Sequence, residues 1–375
     1  MSKVGIITYH HHYNYGTMLQ ALALQKAIEN LGFESEIIDF KQNNRLSTRD
    51  LLLLRLKRMG VYLRQLKKYY LLSKSKKIFS ERNNLFEEFY KTELHVGENR
   101  YNSTRDLMDN PPKYDAYIVG SDQTWNPYVA GCPEAFYLPF VDNDFLKGSY
   151  GPSLAVNNLN DAQKQFLRER LNKFSFISCR EKTGTELIKE IVQKPVTTVL
   201  DPTLLLDKKE WDNFCEDKQL NSPYILTYFL GENKLHRKIV KELSERLSMN
   251  IIDIPTTYLE VENKKNEKIY AGPRQFLNLI KNAMIICTDS FHGTIFSINY
   301  EKNFYSFCKM DSNDKKSENS RLQDILEEFK LGNRLISKTP DKIENIDYEK
   351  VNKILNKRRQ ESKDYLINML TEMTR

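Results

Sequence analysis

Apolar residues in this chain come in short continuous runs, each followed by a stretch of helical period. Residues 4–9 form a run of the kind that a strand buried on both faces requires. Residues 17–31 repeat their apolar positions every three or four residues until Gly32 stops them, and 34–40 read as the next strand. The alternation resumes with strands expected at 116–119, 174–178 and 196–200 and helices at 81–91, 160–173 and 183–192. A second series starts at Pro223, with strands at 224–229, 250–254, 284–288 and 303–307. Helices at 234–247, 274–283 and 293–299 lie between them, and a last long helix is expected at 348–373. Strand-then-helix order repeated in this way predicts an α/β protein with mostly parallel sheets covered on both faces. Two series imply two Rossmann-like units, at 1–210 and 220–335, and a C-terminal helix within 340–375 able to pack back on the first.

Composition changes this picture little. With 375 residues, 40% hydrophobic and 29% charged, the chain has the balance of a globular protein and the length of two domains. Its longest aliphatic run, 51–54, is too short to cross a membrane, and no cleavage-site pattern follows the N-terminal apolar run. Five scattered cysteines without a C-x-x-C pair fit reduced thiols. These features together predict a cytoplasmic protein. The net charge of +7 is local, because nine bases and no acid lie between Arg55 and Ser80. Within 51–72 the apolar residues Leu52, Leu56, Met59, Leu63, Leu66 and Tyr70 recur at helical spacing. That helix fits either a solvated face packed on the core or a peripheral contact with an anionic membrane. Charge confined to one segment speaks against a nucleic-acid partner.

Ligands of open parallel sheets bind beyond the carboxyl ends of the strands, where this chain is polar. His10-His11-His12-Tyr13-Asn14-Tyr15-Gly16 follows the first strand, and Gly120-Ser121-Asp122-Gln123-Thr124-Trp125-Asn126 follows 116–119. Later strand ends carry Ser178-Cys179-Arg180-Glu181, Asp201-Pro202 and Asp289-Ser290-Phe291-His292-Gly293-Thr294. No glycine-rich nucleotide fingerprint accompanies them, which leaves Asp39 little claim to a ribose. The histidine run lacks metal-ligand spacing, so no metal and no cofactor are expected. Asp289, Ser290 and His292 at the start of a helix could bind or protonate an anion, or could equally be a capped turn with a hydrogen-bonded histidine. Arg180 with Glu181 is either a structural pair or a cation facing the cleft. Trp125 reads as a packing residue more readily than as a sugar platform.

Six of these segments occur in order. They are Tyr13-Asn14-Tyr15-Gly16 with Leu19-Gln20-Ala21, Gly120 to Asn126, Ser178 to Glu181, Leu200-Asp201-Pro202-Thr203, Thr288 to Thr294, and Ser320-Arg321. Taken together, over about 3–333, the chain resembles the polysaccharide pyruvyl transferase family. The resemblance implies a fold similar to the GT-B glycosyltransferases. It also implies transfer of pyruvate from phosphoenolpyruvate, as a ketal, onto two hydroxyls of a sugar in capsule, exopolysaccharide or cell-wall polymer assembly. On that reading His292 and Asp289 are the catalytic candidates. Arg180, Ser290, Gly293, Arg321 and Lys309 fall to the donor, with Lys309 replacing a cation that some members carry at the position of Ser290. Asn14, Gly16, Asp122, Gln123 and Trp125 fall to the acceptor, expected to be a lipid-linked oligosaccharide. The competing expectations are a nucleotide-sugar glycosyltransferase of the same architecture and a non-catalytic subunit that binds a saccharide or its lipid carrier.

Overall fold

The computed structural model describes residues 1–41, 79–129, 133–218, 220, 222–231, 233–256, 266–309 and 319–375. The basic stretch at 51–72 and Cys132 lie outside the described residues. Strand β1 (Lys3–Ile7) is followed by helix α1 (Tyr15–Asn30) and β2 (Glu34–Phe40). After these come α2 (Ser80–Glu93), β3 (Val96–Tyr101), α3 (Thr104–Asp109), β4 (Ala116–Val119) and β5 (Lys147–Ser149). They form a parallel sheet of order β3-β2-β1-β4-β5. Helix α4 (Asp161–Leu171) leads to β6 (Ile177–Cys179), α5 (Lys182–Lys189) and β7 (Val196–Thr198). The β6–β7 pair continues the sheet beyond β5 through a bridge between Gly148 and Phe176.

Short helix α6 (Lys208–Asp212) precedes the second sheet. That sheet is built from β8 (Tyr224–Tyr228), α7 (Lys234–Leu247), β9 (Asn250–Asp253), β10 (Glu267–Lys268), α8 (Pro273–Asn282), β11 (Ile285–Thr288), α9 (Phe291–Asn299) and β12 (Asn303–Ser306). Its order, β10-β9-β8-β11-β12, is again parallel throughout. Helices α10 (Asn319–Glu328) and α11 (Tyr348–Met373) complete the described chain. Among the described residues no helix is long and apolar enough to cross a membrane.

Helix α1 is buried on almost every side, since it covers the first sheet and meets α8 and α9 of the second. Its Ala21, Ala23 and Ala27 are buried with the larger Leu19, Leu22 and Leu24. The Tyr15 ring stacks on Phe276 with centroids 4.3 Å apart, and its hydroxyl donates to Ala271 O at 2.7 Å. One apolar cluster therefore runs continuously from Val4 and Leu19 to Phe276 and Ile295. The strand ends of both sheets meet along this seam.

Candidate active site at the seam between the sheets

The turn from β11 into α9 is fixed by its own hydroxyls. Ser290 caps α9, its Oγ accepting from Gly293 N at 3.3 Å, and Thr288 Oγ1 accepts from Ser290 N at 3.0 Å. A Cβ at residue 293 would lie 2.5 Å from Thr288 Oγ1, so only glycine lets α9 sit this close to β11. Asp289 Oδ1 accepts from Leu230 N at 2.6 Å and so ties the exit of β8 to this turn. His292 follows in the first turn of α9, mostly buried.

Opposite His292 stands a carboxylate from the first half. Asp201 opens a short helical turn, Pro202–Leu204, and its Oδ1 accepts from Thr203 N at 3.0 Å and Thr203 Oγ1 at 2.7 Å. Its Oδ2 accepts from Arg180 Nη1 at 2.6 Å and lies 3.6 Å from His292 Nε2. Burial would push this carboxyl up, yet His292, Arg180 and Thr203 outweigh burial and hold it well below the ordinary carboxylate value. The Arg180 guanidinium lies 4.3 Å from the centroid of the Phe291 ring, and that of Arg321 lies 5.7 Å from it. One ring thus holds two cations close together. Nε and Nη2 of Arg180 are buried without a hydrogen-bond partner, although Nε lies 4.0 Å from Glu181 Oε2, and an anionic ligand would supply the missing acceptor. Arg180, Phe291 and Arg321, though not His292 or Asp201, line a cleft of about 440 Å³ together with Glu181, Lys182 and Asp324.

The first turn of α1 closes the site from the other side. Asn14 is the cap of α1, with Oδ1 accepting from Thr17 N at 3.1 Å. A Cβ on Gly16 would fall 2.0 Å from His292 Nδ1, so the glycine of the Tyr-Asn-Tyr-Gly segment is what admits the imidazole. Thr17 Oγ1 donates to Asp122 Oδ2 at 2.9 Å, and Gln20 Oε1 accepts from Ser121 N at 3.0 Å. Asp122 adopts a left-handed φ of 60°, which aspartate tolerates better than most residues. The Gln123 amide lies 3.2 Å from both Nη atoms of Arg321, with its oxygen the group suited to face them.

Several expected partners sit elsewhere. Trp125 is fully buried, stacked on Tyr137 with its indole N–H donating to Phe136 O, and offers no ring face to a sugar. Glu181 divides its carboxylate: Oε2 lies 4.0 Å from Arg180 Nε, and Oε1 accepts from Ser153 Oγ, Leu154 N and Ala155 N. Lys309 is exposed beyond β12, beside residues outside the described set. His10 and Arg100 engage Asp39, leaving that carboxylate occupied. Sequence reasoning passed over Asp201 as a site residue, although the Leu-Asp-Pro-Thr segment marked it. It also passed over Thr17 and Gln20, which follow the Tyr-Asn-Tyr-Gly segment directly.

The family model for polysaccharide pyruvyl transferase matches residues 14–307, a span that includes Asn14, Arg180, Asp201 and His292. The chain belongs to the polysaccharide pyruvyl transferase family. No curated protein matches it. Among solved structures, a Listeria monocytogenes protein assigned as a UDP-N-acetylglucosamine 2-epimerase is similar at 11% identity, with a TM-score of 0.51 over 97% of this chain and 90% of that one. A UDP-GlcNAc 2-epimerase from Methanocaldococcus jannaschii is similar at 14% identity, with a TM-score of 0.49 over 94% of this chain and 92% of that one. At such identities the likeness concerns the fold, which is GT-B-like. The pyruvyl transferase family model thus spans the seam where both sheets contribute side chains.

Proposed function

We propose that this pyruvyl transferase takes phosphoenolpyruvate as donor and forms a ketal on two hydroxyls of a sugar. The observation that carries the reading is the grouping of Arg180, Arg321 and His292 around Phe291 at the meeting of the two halves. Phosphoenolpyruvate bears a phosphate and a carboxylate, and planar guanidinium forks match both in paired hydrogen bonds. The first amides of α9, which have no intrahelical acceptor, add donors for the phosphate.

In the reaction, a proton passes from the imidazolium of His292 to the methylene carbon of the donor, and positive charge develops at the neighbouring carbon. One sugar hydroxyl attacks that carbon and gives up its proton to the imidazole. Phosphate then leaves with its C–O bond pair, and the second hydroxyl closes the ketal, its proton accompanying the phosphate. Asn14, Asp122 and Gln123 are the residues proposed to receive the sugar, a reading supported by Gln123 lying 3.2 Å from Arg321.

Incubation with phosphoenolpyruvate and an acceptor saccharide is expected to release inorganic phosphate and add one pyruvate ketal, seen by mass. His292→Ala is expected to lower turnover by about 10²–10⁴-fold, the range for loss of a general acid–base group, while keeping the fold by circular dichroism. Thermal stabilisation by a UDP- or GDP-sugar and not by phosphoenolpyruvate would overturn the reading.

A further inference from the structure

We infer that Asp201 is a positioning residue that holds His292 in one tautomer, with the proton on Nε2, so that Nδ1 is the atom that exchanges protons with the reactants. The inference rests on the proposed role of His292, though not on the identity of the donor.

Three observations carry it. Asp201 has no freedom of its own: Thr203 occupies Oδ1 through both its amide and its hydroxyl, and Oδ2 is left facing the site. That oxygen accepts from Arg180 Nη1 and lies nearest His292 Nε2, with the carboxylate shut off from water. A buried carboxylate can only accept a hydrogen bond, so the ring nitrogen facing it is the one that carries hydrogen. The other nitrogen, Nδ1, lies against Gly16, whose missing side chain leaves it without a side-chain partner there.

The same carboxylate therefore sets two groups at once. Arg180 donates to it through Nη1, which leaves Nε and Nη2 without a hydrogen bond, and Nε2 of the imidazole lies 3.6 Å from the same oxygen while hydrogen-bonding to no other group. The charged and titratable groups around Asp201 are Arg180, His292 and, from the end of β5, the phenol of Tyr150. Tyr150 stays neutral because burial pushes its phenol well above the ordinary value. Arg180 is also held by the charges of Asp122 and Glu181.

The test begins without substrate. Nitrogen-15 chemical shifts of His292 in the intact wild-type protein are expected to report the neutral ring protonated at Nε2. A ring protonated at Nδ1 would overturn the inference, even if the protein proves to be a pyruvyl transferase. In Asp201→Asn, the preference for the proton on Nε2 is expected to weaken in the same spectra, and an unchanged tautomer ratio would also overturn it. With phosphoenolpyruvate and acceptor, Asp201→Asn should lose about 10²-fold or more in kcat, comparable to loss of the general acid–base itself. A fall in kcat with the tautomer of His292 unchanged would mark Asp201 as a structural residue. Should the variant fail to fold, the wild-type tautomer decides by itself. Failure of the wild type to consume phosphoenolpyruvate would remove the functional reading while leaving the tautomer result standing.

Discussion

Gly16 and His292 occupy space that only one of them can fill with a side chain. The Cβ of an alanine at 16 would lie 2.0 Å from Nδ1 and 2.4 Å from Cγ of the imidazole. The backbone at 16 is helical and α1 is anchored on the sheet, so the ring is the part that must move. We expect Gly16→Ala to cost about 10²-fold in turnover, the penalty of displacing a reacting group by about an ångström, measured as phosphate release. Alanine favours helix over glycine by about 1 kcal/mol, so stability should change far less than activity. Full activity in this variant would mean that His292 does not work from the position described. The glycine stood out in the sequence as part of a segment, but its reason did not, because its partner lies 276 positions further along.

At the scale of elements, α7 packs on the second sheet through Ile239, Val240 and Leu243, and also through His236. The His236 ring sits 4.7 Å from Phe307 and 5.5 Å from Phe229, centroid to centroid. Burial, with a small contribution from the Arg237 charge, pushes its pKa down to about 4 from 6.5. Between pH 6.5 and about 4 the unfolded chain binds a proton at this histidine that the folded chain refuses. Stability therefore falls as pH falls through that window. His236→Phe keeps the ring contacts and removes the proton, so its loss of stability from pH 7 to pH 5 should be smaller than that of the wild type. Urea unfolding at the two pH values measures this, and equal losses would show that His236 is protonated in the folded protein.

Elements also differ in how plainly they could be read. Strands β1, β4, β8 and β11 announce themselves because both their faces are buried and their sequences are nearly all apolar. Strand β3 escaped notice, since Val96–Tyr101 is an edge strand with three consecutive exposed residues. So did β5, the buried Lys147–Ser149, which has no apolar residue and is a strand only because β4 lies alongside. Helix α10 was missed as well, though the resemblance had singled out Arg321 within it.

For the molecule as a whole, α11 acts as a brace. It begins against the second half, where Tyr348 Oη donates to Ser297 O at 3.2 Å, and ends against the first, where Leu366, Met369 and Leu370 are fully buried. Along the way Arg358 donates to Thr198 O, Arg359 to Leu204 O and Tyr365 to Ser149 O. Ser362 Oγ accepts from Leu200 N at 2.9 Å, one residue before Asp201. Ser362→Val should leave that amide buried and unpaired, at a cost of about 1–3 kcal/mol in stability, read from the denaturation midpoint. An unchanged midpoint would show that the contact is not made.

The sequence alone determined the alternation of the apolar strands with helices, though not β3, β5 or α10, together with the parallel character of both sheets and the strand ends at which chemistry collects. Those properties follow from local periodicity and from the rule that apolar runs must be buried, so neighbours in sequence suffice to specify them. Only the tertiary structure decided which side chains meet. It joined Asp201 to Arg180 and His292, turned Glu181 toward the amides of Leu154 and Ala155, and sank Trp125 into the first core. Each of these outcomes depends on the distance between residues far apart in the chain and on which polar groups burial leaves in need of a partner. Neither quantity exists until the two sheets have closed around α1.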